Sequence, residues 1–511
     1  MSALAFRVFP ARLMAAITVL ACLAGCDISS GTSLTEAKLA ADMATYVETD
    51  YAPGLLELVH AQYAGPQWIP NFARDHRTVE YTAELRLKRD YDFGVWDQTG
   101  AATLAQMLGA KPAALLGLKA DGNKTGDILR VTGTLIYTQE KDGTRALSGA
   151  APKVPSANVL AWRDRRDLLQ EWWFATKVAA RGIASPIDAI DADFVFAGVK
   201  ATAARLMRER ADGKASVAIA SGTYGEDYWT VAQAISDNSA AQRGKPLINL
   251  ETSGSRENLR LLRDRAVSAA IVRGDEAAFA LSGEGPFARD GTFPELRALG
   301  ALFPEPIHVV VMSNSPIASV ADLFNRRVAI TGNGLATGIG AGDALRAHRV
   351  PLASLAAAPE IRPIEQTLAA LEKGECDAVI ITTAAPMPAL REFALAHAIR
   401  LLPLDADALA LMTTGTSNYV AITIPARTYP GQNKSIATVA ITTLLVSSAA
   451  IPGAEIETLL QQTYNGVDFI GHGSTLGALI RRGSARRGLS VPLHSGAEAF
   501  YGLPPAKDSA K

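Results

Sequence analysis

From Val217 onward, short apolar runs recur, each closed by a small polar turn and followed by residues at helical spacing. Val217-Ala218-Ile219-Ala220 leads into Ser221-Gly222-Thr223-Tyr224 and a helix through Val231 and Ile235. Leu247 to Leu250 leads into Thr252-Ser253-Gly254-Ser255 and a helix through Leu259, Leu261 and Leu262, and Ser268 to Val272 reads as a third strand. A second series starts at Val328-Ala329-Ile330, passes Gly332-Asn333-Gly334 and a helix around Ala341 to Ala347, and reaches Ala378-Val379-Ile380-Ile381. Strands alternating with helices predict a parallel sheet covered on both faces. Two such series predict two lobes. The apolar segments Ile307 to Met312 and Tyr419 to Ile424 are the expected crossing strands between them.

Upstream the pattern differs. Residues 34–62 carry helical apolar spacing that ends in Leu55, Leu56, Leu58 and Val59. Val79, Tyr81, Ala83, Leu85 and Leu87 alternate with polar partners, a period of two that predicts a half-buried strand. Ile128 to Tyr137 is a second strand, and Lys141-Asp142-Gly143-Thr144 a turn. One long helix against antiparallel strands predicts a small, cystatin-like α+β module. Ser148 to Asn158, rich in Pro, Ala and Ser, reads as a linker. Helices follow through Trp162, Leu168, Leu169, Trp172, Trp173 and Phe174, and from Phe194 to Arg210. The tryptophan cluster is expected to pack between domains rather than to meet a membrane.

The chain has 511 residues, too many for one core. Fifty basic residues face fifty-one acidic ones, which gives no support for nucleic-acid binding. No run of 18 apolar residues predicts a membrane span. Arg7 and Arg12 precede an apolar run from Leu13 to Ala24 that ends in Leu23-Ala24-Gly25-Cys26. A basic segment, a short apolar core and small residues before a cysteine resemble a bacterial lipoprotein signal. The expected lipidation site is Cys26, tethering the mature chain outside the cytoplasm on the periplasmic face of the envelope. Asp27 resembles an inner-membrane retention residue. With Cys22 removed and Cys26 acylated, Cys376 has no partner for a disulfide and reads as a buried, inert thiol.

The three turns Ser221–Tyr224, Thr252–Ser255 and Gly332–Gly334 each close a strand and open a helix. In open α/β sheets ligands bind outside the carboxyl ends of strands. Free N–H groups and the positive dipole end at a helix start attract an anion. Plain N-capping is the competing explanation for any one of these turns.

Residues Val217 to Tyr501 resemble the solute-binding subunit of the TAXI family of TRAP transporters. The matching segments include Thr252-Ser253-Gly254-Ser255-Arg256-Glu257-Asn258-Leu259-Arg260-Leu261-Leu262, Gly285-Pro286-Phe287 and Leu302-Phe303-Pro304-Glu305-Pro306-Ile307-His308. Thr423 to Gln432 and Pro492 to Glu498 complete them. The resemblance implies an α/β, two-lobed periplasmic-binding-protein-like fold of the class II type, here preceded by the small α+β N-terminal domain. Signal peptide 1–25 and tether 26–33 precede that domain at 34–147. Linker and helices occupy 148–212, lobe 1 213–312, lobe 2 313–425, and a return to lobe 1 with a C-terminal tail 426–511.

By the same resemblance, ligand contacts fall on Gly222, Thr223, Tyr224, Ser253, Gly254, Ser255, Asn258 and Asp275 in lobe 1, and on Asn333 and Thr337 in lobe 2. The family's Gln-Ser-Asp is replaced by Arg273-Gly274-Asp275, and its Gly-Ser-Gly-Thr-Glu by Gly334-Leu335-Ala336-Thr337-Gly338. Arg273 is therefore a candidate clamp for a ligand carboxylate, or else a partner of Asp275 or Glu276. Glu305 and His308 read as hinge-strand residues, and Arg481, Arg482, Arg486 and Arg487 as a solvated loop or a contact for anionic lipid or a permease. No catalytic, metal-binding or cofactor motif is present. The expected function is a lipid-anchored receptor, not an enzyme, that delivers a small organic acid or amino-acid-like solute to a TRAP permease. The alternative is a sensor that reports ligand occupancy through its N-terminal domain.

Overall fold

The computed structural model describes residues 34–51, 53–64, 69–70, 76–139, 145–150, 217–243, 247–331, 335–357, 361–414, 418–469 and 473–503. The residues of the expected lipoprotein signal with Cys26, of the expected turns at Lys141–Thr144 and Gly332–Gly334, and of the helices expected through Trp162 and Phe194 lie outside them.

Among the described residues the N-terminal domain is an antiparallel sheet with two short α-helices. Helix α1 (Glu36–Ala44) starts at Thr35, whose hydroxyl accepts the Lys38 N–H at 3.2 Å. The α-helix stops there and passes through a π-helical turn, Thr45–Tyr51. The predicted helix over 34–62 is therefore too long: Leu56–Tyr63 is strand β1. Pro53 and Gly54 break the helix, since proline lacks the N–H and Gly54 takes φ +72°. Strands β2 (Ile69–Pro70), β3 (His76–Leu87), β4 (Ala110–Leu116), β5 (Ile128–Gln139) and β6 (Arg145–Ala150) complete the sheet. The order is β1-β3-β5-β4, with β2 on β3 and β6 on β5. Ser148 to Ala150, expected to begin the linker, belong to β6. The alternation on β3 is as predicted: Val79, Tyr81, Ala83, Leu85 and Leu87 are buried against Leu39, Met43 and Leu104 of α1 and α2 (Ala101–Met107).

Among the described residues the second sheet has ten strands. Lobe 1 contributes parallel β7 (Ala218–Ala220), β8 (Ile248–Leu250) and β9 (Ala269–Arg273). Lobe 2 contributes parallel β11 (Val328–Thr331), β12 (Ile361–Arg362) and β13 (Ala378–Thr382). Two long strands, β10 (Leu296–Met312) and β16 (Ile436–Ser448), run antiparallel between them, giving the order β12-β11-β13-β10-β16-β9-β7-β8. Strand β14 (Ile399–Leu402) pairs β10, and β15 (Tyr419–Ile424) pairs β16.

Two parallel α/β series sharing a pair of crossing strands make the two-lobed periplasmic-binding-protein-type fold. Ile307–Met312 lies within the first crossing strand as predicted. Tyr419–Ile424 is not the second: that role falls to β16, which Tyr419–Ile424 flanks. Strand β16 reads Ile-Ala-Thr-Val-Ala-Ile-Thr-Thr-Leu-Leu-Val-Ser-Ser and is buried on both faces from Thr438 onward, so it shows no alternation.

Helices α3 (Asp227–Arg243), α4 (Ser255–Arg263) and α5 (Gly274–Ser282) follow the lobe-1 strands. In α4, Ser255, Asn258, Leu259, Leu261 and Leu262 face the sheet, while Arg256, Glu257, Arg260 and Arg263 lie more openly. Lobe 2 carries α6 (Leu335–Ala347), α7 (Ile364–Glu372), α8 (Pro388–Ala396) and α9 (Ala406–Thr413). Its core divides by strand parity: Ile307, Val309, Val328, Ile330 and Ile380 pack on one face, and Val310, Ala329, Val379 and Ile381 on the other. Helices α10 (Gly453–Tyr464) and α11 (Ser495–Tyr501) return to lobe 1, where Tyr464 and Tyr501 donate to the Ala301 and Leu299 carbonyls at 2.8 and 2.9 Å.

Candidate functional site

The predicted lobe-1 residues converge at the carboxyl ends of β7, β8 and β9. Asn258 is fully buried, and its Nδ2 donates to the Ser221 carbonyl at 2.5 Å and the Ile271 carbonyl at 2.7 Å, stapling β7 to β9. Ser255, also buried, accepts the Arg273 N–H at 3.0 Å. Gly222 is buried and accepts the Thr252 N–H, while Thr223 is exposed and Tyr224 rests its ring 4.4 Å from Trp229. Gly254 begins α4 at φ +117°, a value that favours glycine. Thr337 falls in the first turn of α6, its side chain outside the described set together with Asn333.

Carboxylates of the chain itself stand at or beside these helix starts. At α4, the Ser253 N–H and hydroxyl both donate to Glu257 Oε2, at 2.7 and 2.8 Å. At α5, the Glu276 N–H donates to Asp275 Oδ1 at 2.9 Å. At α3, Glu226 and Asp227 occupy the start themselves. Arg273 is likewise engaged, donating through Nε and Nη2 to the two oxygens of Asp275 at 3.2 and 2.7 Å. Both side chains are buried, at 12% and 2% exposure. Burial works against the Arg273 charge, but Asp275, Glu305 and Glu276 overcome it and raise its pKa above the usual arginine value. Of the two readings of Arg273, the internal pair is the one this geometry adopts.

The crossing strands add residues that the sequence left unassigned to a site. Register pairs place Arg273 beside Thr443, Phe303 beside Thr443, Glu305 beside Ile441, and Tyr419 beside Ile441, so all share one face. Over that face α3 of lobe 1 lays Tyr228, whose hydroxyl donates to Glu305 Oε1 at 2.5 Å and whose ring meets Phe303 edge-on. Thr443 donates to the same oxygen at 2.7 Å. From lobe 2, α6 brings Asp343, which accepts the Tyr419 hydroxyl at 2.6 Å. Burial, followed by this hydrogen bond, raises the Tyr419 pKa, and the charges of Asp275 and Arg273 in lobe 1 also reach it. Polar groups of both lobes therefore meet over the crossing strands. Glu305 was legible as a charge inside an apolar strand; Tyr228, Thr443, Tyr419 and Asp343 carried no sequence signal.

The opposite face of the same strands carries Pro304, Pro306, His308, Ile422 and Ile424. His308 is buried; its Nδ1 lies 3.0 Å from the Pro306 carbonyl and its Nε2 2.8 Å from the Tyr429 hydroxyl. A carbonyl only accepts, so Nδ1 carries the proton and Tyr429 donates to Nε2. Burial holds His308 neutral, with its pKa down at about 4. The N-terminal domain covers this face: Trp96, Gln98 and Ala102 line a cavity of about 30 Å³ with Pro304, Pro306, Ile422 and Ile424.

Trp96 Nε1 donates to the Leu479 carbonyl at 3.0 Å. Asp97 accepts the Thr423 N–H of β15 at 3.1 Å through one oxygen and Arg487 at 3.3 Å through the other. Gln106 reaches the Pro386 carbonyl at 3.2 Å. Arg487 also lies over the Trp96 ring, Arg481 is 3.8 Å from Asp92, and Arg482 covers Phe500. Three of the four arginines expected in a solvated loop thus hold the C-terminal segment together and fasten it to the N-terminal domain.

Among the described residues no group of three or more His, Cys, Asp or Glu side chains could hold a metal ion, and no helix is long and apolar enough to cross a membrane. Cys376 is buried and forms no disulfide among the described residues.

The NMT1-like family matches residues 219–502, both lobes and the return. The chain belongs to the NMT1-like family. Among solved structures, this NMT1-like chain is similar to the periplasmic aliphatic sulphonate binding protein SsuA from Escherichia coli. The identity is 18%, over 57% of this chain and 76% of that one, with a TM-score of 0.35. A TctC solute binding protein from Polaromonas is 14% identical over 51% and 86% of the two chains, with a TM-score of 0.34. A periplasmic binding protein from Brucella ovis with glutathione bound is 15% identical over 50% and 68%, with a TM-score of 0.30. The two-lobed assignment stands on the strand order rather than on these superpositions.

Proposed function

We propose that this NMT1-like protein is an extracytoplasmic solute receptor that holds a small organic acid or amino-acid-like solute between its lobes and presents it to a TRAP-type permease. The observation that carries the reading is the meeting of Tyr228, Glu305, Arg273 and Asp275 with Tyr419 and Asp343 over the crossing strands. Closing two lobes on a solute buries it among such groups, and the closed state is favoured by the solute's differential affinity for it. The contacts of the reading are Gly222, Thr223, Tyr224, Ser253, Asp275, Asn333 and Thr337, with Gly254, Ser255 and Asn258 shaping the turns. Lipidation at Cys26 would keep the receptor beside its permease and raise its effective concentration there. Mass spectrometry of the solute that co-purifies, followed by calorimetry and small-angle scattering with it, tests the reading. A bound solute that compacts the protein supports it; conversion of the solute to a product overturns it in favour of an enzyme.

A second reading, a sensor acting through the N-terminal domain, draws on the contacts that this domain makes with both the C-terminal segment and the β15 side of the crossing strands. Hydrogen exchange at Asp97 and Gln106 separates the two. Protection that changes with solute supports sensing, and protection that stays constant while uptake proceeds sinks it.

A further inference from the structure

Helix α2 touches three bodies within two turns. Ala101, Leu104 and Ala105 belong to the core of the N-terminal domain itself. Ala102 enters the lobe-1 core with Trp96, Leu479 and Ile480. Gln106, four residues on and so one turn along the same side, donates to the Pro386 carbonyl of lobe 2 at 3.2 Å. The helix and its domain therefore bridge the two lobes, on the face of the crossing strands that carries Pro304 and Pro306.

The two attachments are unequal. On the lobe-1 side the apolar cores are shared: Trp96 and Ala102 sit in the cluster of lobe 1, and Ala478 of the C-terminal segment sits in that of the domain. The backbones approach so closely there that a methyl group on Gly94 would come within 2.6 Å of the Ala478 carbonyl. On the lobe-2 side, among the described residues, neither apolar cluster of that lobe includes a side chain of the domain. What joins them is the Gln106 bond, the 3.4 Å contact of Arg427 with the Thr49 carbonyl, and Gly149 set against Leu395 of α8. Gln106 Oε1 is buried without a hydrogen bond among the described residues. A cavity of about 220 Å³ separates Tyr46, Met107 and Gly149 from Arg391, Leu395 and the 427–433 loop. Close-packed interiors hold few voids larger than a water molecule. The lobe-2 seam is therefore the one that yields, and the domain moves as part of lobe 1.

Bending β10 and β16 towards this face presses Leu395 onto Gly149, where a methyl group would already stand 3.0 Å from Leu395 Cδ2. Bending them away draws the Pro386 carbonyl off Gln106. We propose that the N-terminal domain is a splint across the hinge. Carried by lobe 1, it restrains the bending of the crossing strands through its seam with lobe 2. It thereby sets how readily the lobes part and close, without touching anything held between them. Two-lobed proteins move by such hinge rotations. The splint concerns the hinge alone and stands apart from the identity of any solute.

The test uses the purified full-length chain with Cys22→Ser and Cys26→Ser and no added solute. Spin labels on Arg289→Cys of lobe 1 and Lys373→Cys of lobe 2, both exposed positions, give the distribution of interlobe distances by double electron–electron resonance. Buried Cys376 stays unlabelled. Gln106→Ala combined with Leu395→Ala should raise the population outside the parent's main distance about fivefold, the effect of losing one net hydrogen bond. A second label pair within lobe 2, Lys373→Cys and Leu411→Cys, reads whether that lobe keeps its fold and should match the parent. Broadening between the lobes alone supports the splint. It is overturned if the interlobe distribution keeps the parent's width. It is equally overturned if the pair within lobe 2 broadens as much, since the seam then supports that lobe's own fold rather than restraining the hinge.

Discussion

Replacing Arg273 by alanine separates an internal lock from a ligand clamp. The guanidinium sits 2.7 Å from Asp275 with both side chains largely out of water. Removing it leaves the Asp275 carboxylate buried beside Glu276, with only the Glu276 N–H at 2.9 Å to satisfy it. Breaking a buried pair from one side costs about 3–5 kcal/mol, because an uncompensated charge remains. Asp275→Ala should cost a similar amount, since it strands Arg273. The double variant should be less destabilised than the two singles added together, with a coupling of about 2–3 kcal/mol, because no orphaned charge is left.

A chain with several cores does not unfold in one step, so a global transition is the wrong measure. The fitting assay is native-state hydrogen exchange on residues 269–282, which reports the opening free energy of β9 and α5 directly. Solute affinity is measured on the same proteins. If Arg273→Ala leaves the opening free energy within about 0.5 kcal/mol of the parent while abolishing solute binding, the lock is refuted and the guanidinium serves the ligand.

Other consequences concern the reverse face and the docked domain. His308 titrates near 4 in the fold against 6.5 ordinarily. The unfolded chain therefore binds the extra proton across that window, and stability falls as pH drops from about 6.5 towards 4, by roughly 3 kcal/mol in all. Acid titration of His308→Gln should flatten that slope; an unchanged slope removes His308 as its source. Tyr429→Phe deletes the hydroxyl that serves both His308 Nε2 and the Met387 N–H. A buried and a half-buried polar group lose their partner, and a loss of about 2–4 kcal/mol in opening free energy is expected by native-state hydrogen exchange in lobe 2. Trp96→Phe removes the donor to the Leu479 carbonyl and should loosen the N-terminal domain by about 1 kcal/mol. Limited proteolysis reads this as faster cleavage at the seam, and an unchanged rate argues that packing alone holds the domain.

The parallel strands were legible because burial on both faces leaves continuous apolar runs such as Ala218-Ile219-Ala220 and Ala378 to Thr382. Strand β16 escaped for the same reason read in reverse. Its Thr and Ser residues look polar, yet Thr438, Thr443 and Ser447 hide by donating to the Ile307 carbonyl, Glu305 and the Ser268 carbonyl. The helix expected over 34–62 failed at Pro53-Gly54, where turn chemistry outweighs an apolar spacing that a strand also tolerates. At the candidate site, the turns were found where small residues close strands. The carboxylate contacts beside them were not, because whether Glu257 folds back on Ser253 or reaches solvent depends on rotamers that spacing does not encode. Tyr228 and Tyr419 entered through register between distant segments, which a single sequence does not display.

Along the first crossing strand, Phe303, Glu305 and Ile307 share the face on which helices of the two lobes pack, while Pro304, Pro306 and His308 look towards the docked domain and the Tyr429 loop. Two tasks are interleaved on one ribbon by odd and even numbering. Substitution at odd positions reaches the packing of the lobes while leaving the domain seam intact, and the even set can drift with its neighbour while leaving that packing alone. Inserting or deleting a single residue there would swap the two sets at once, so in this stretch variation by replacement is tolerable and variation in length is not.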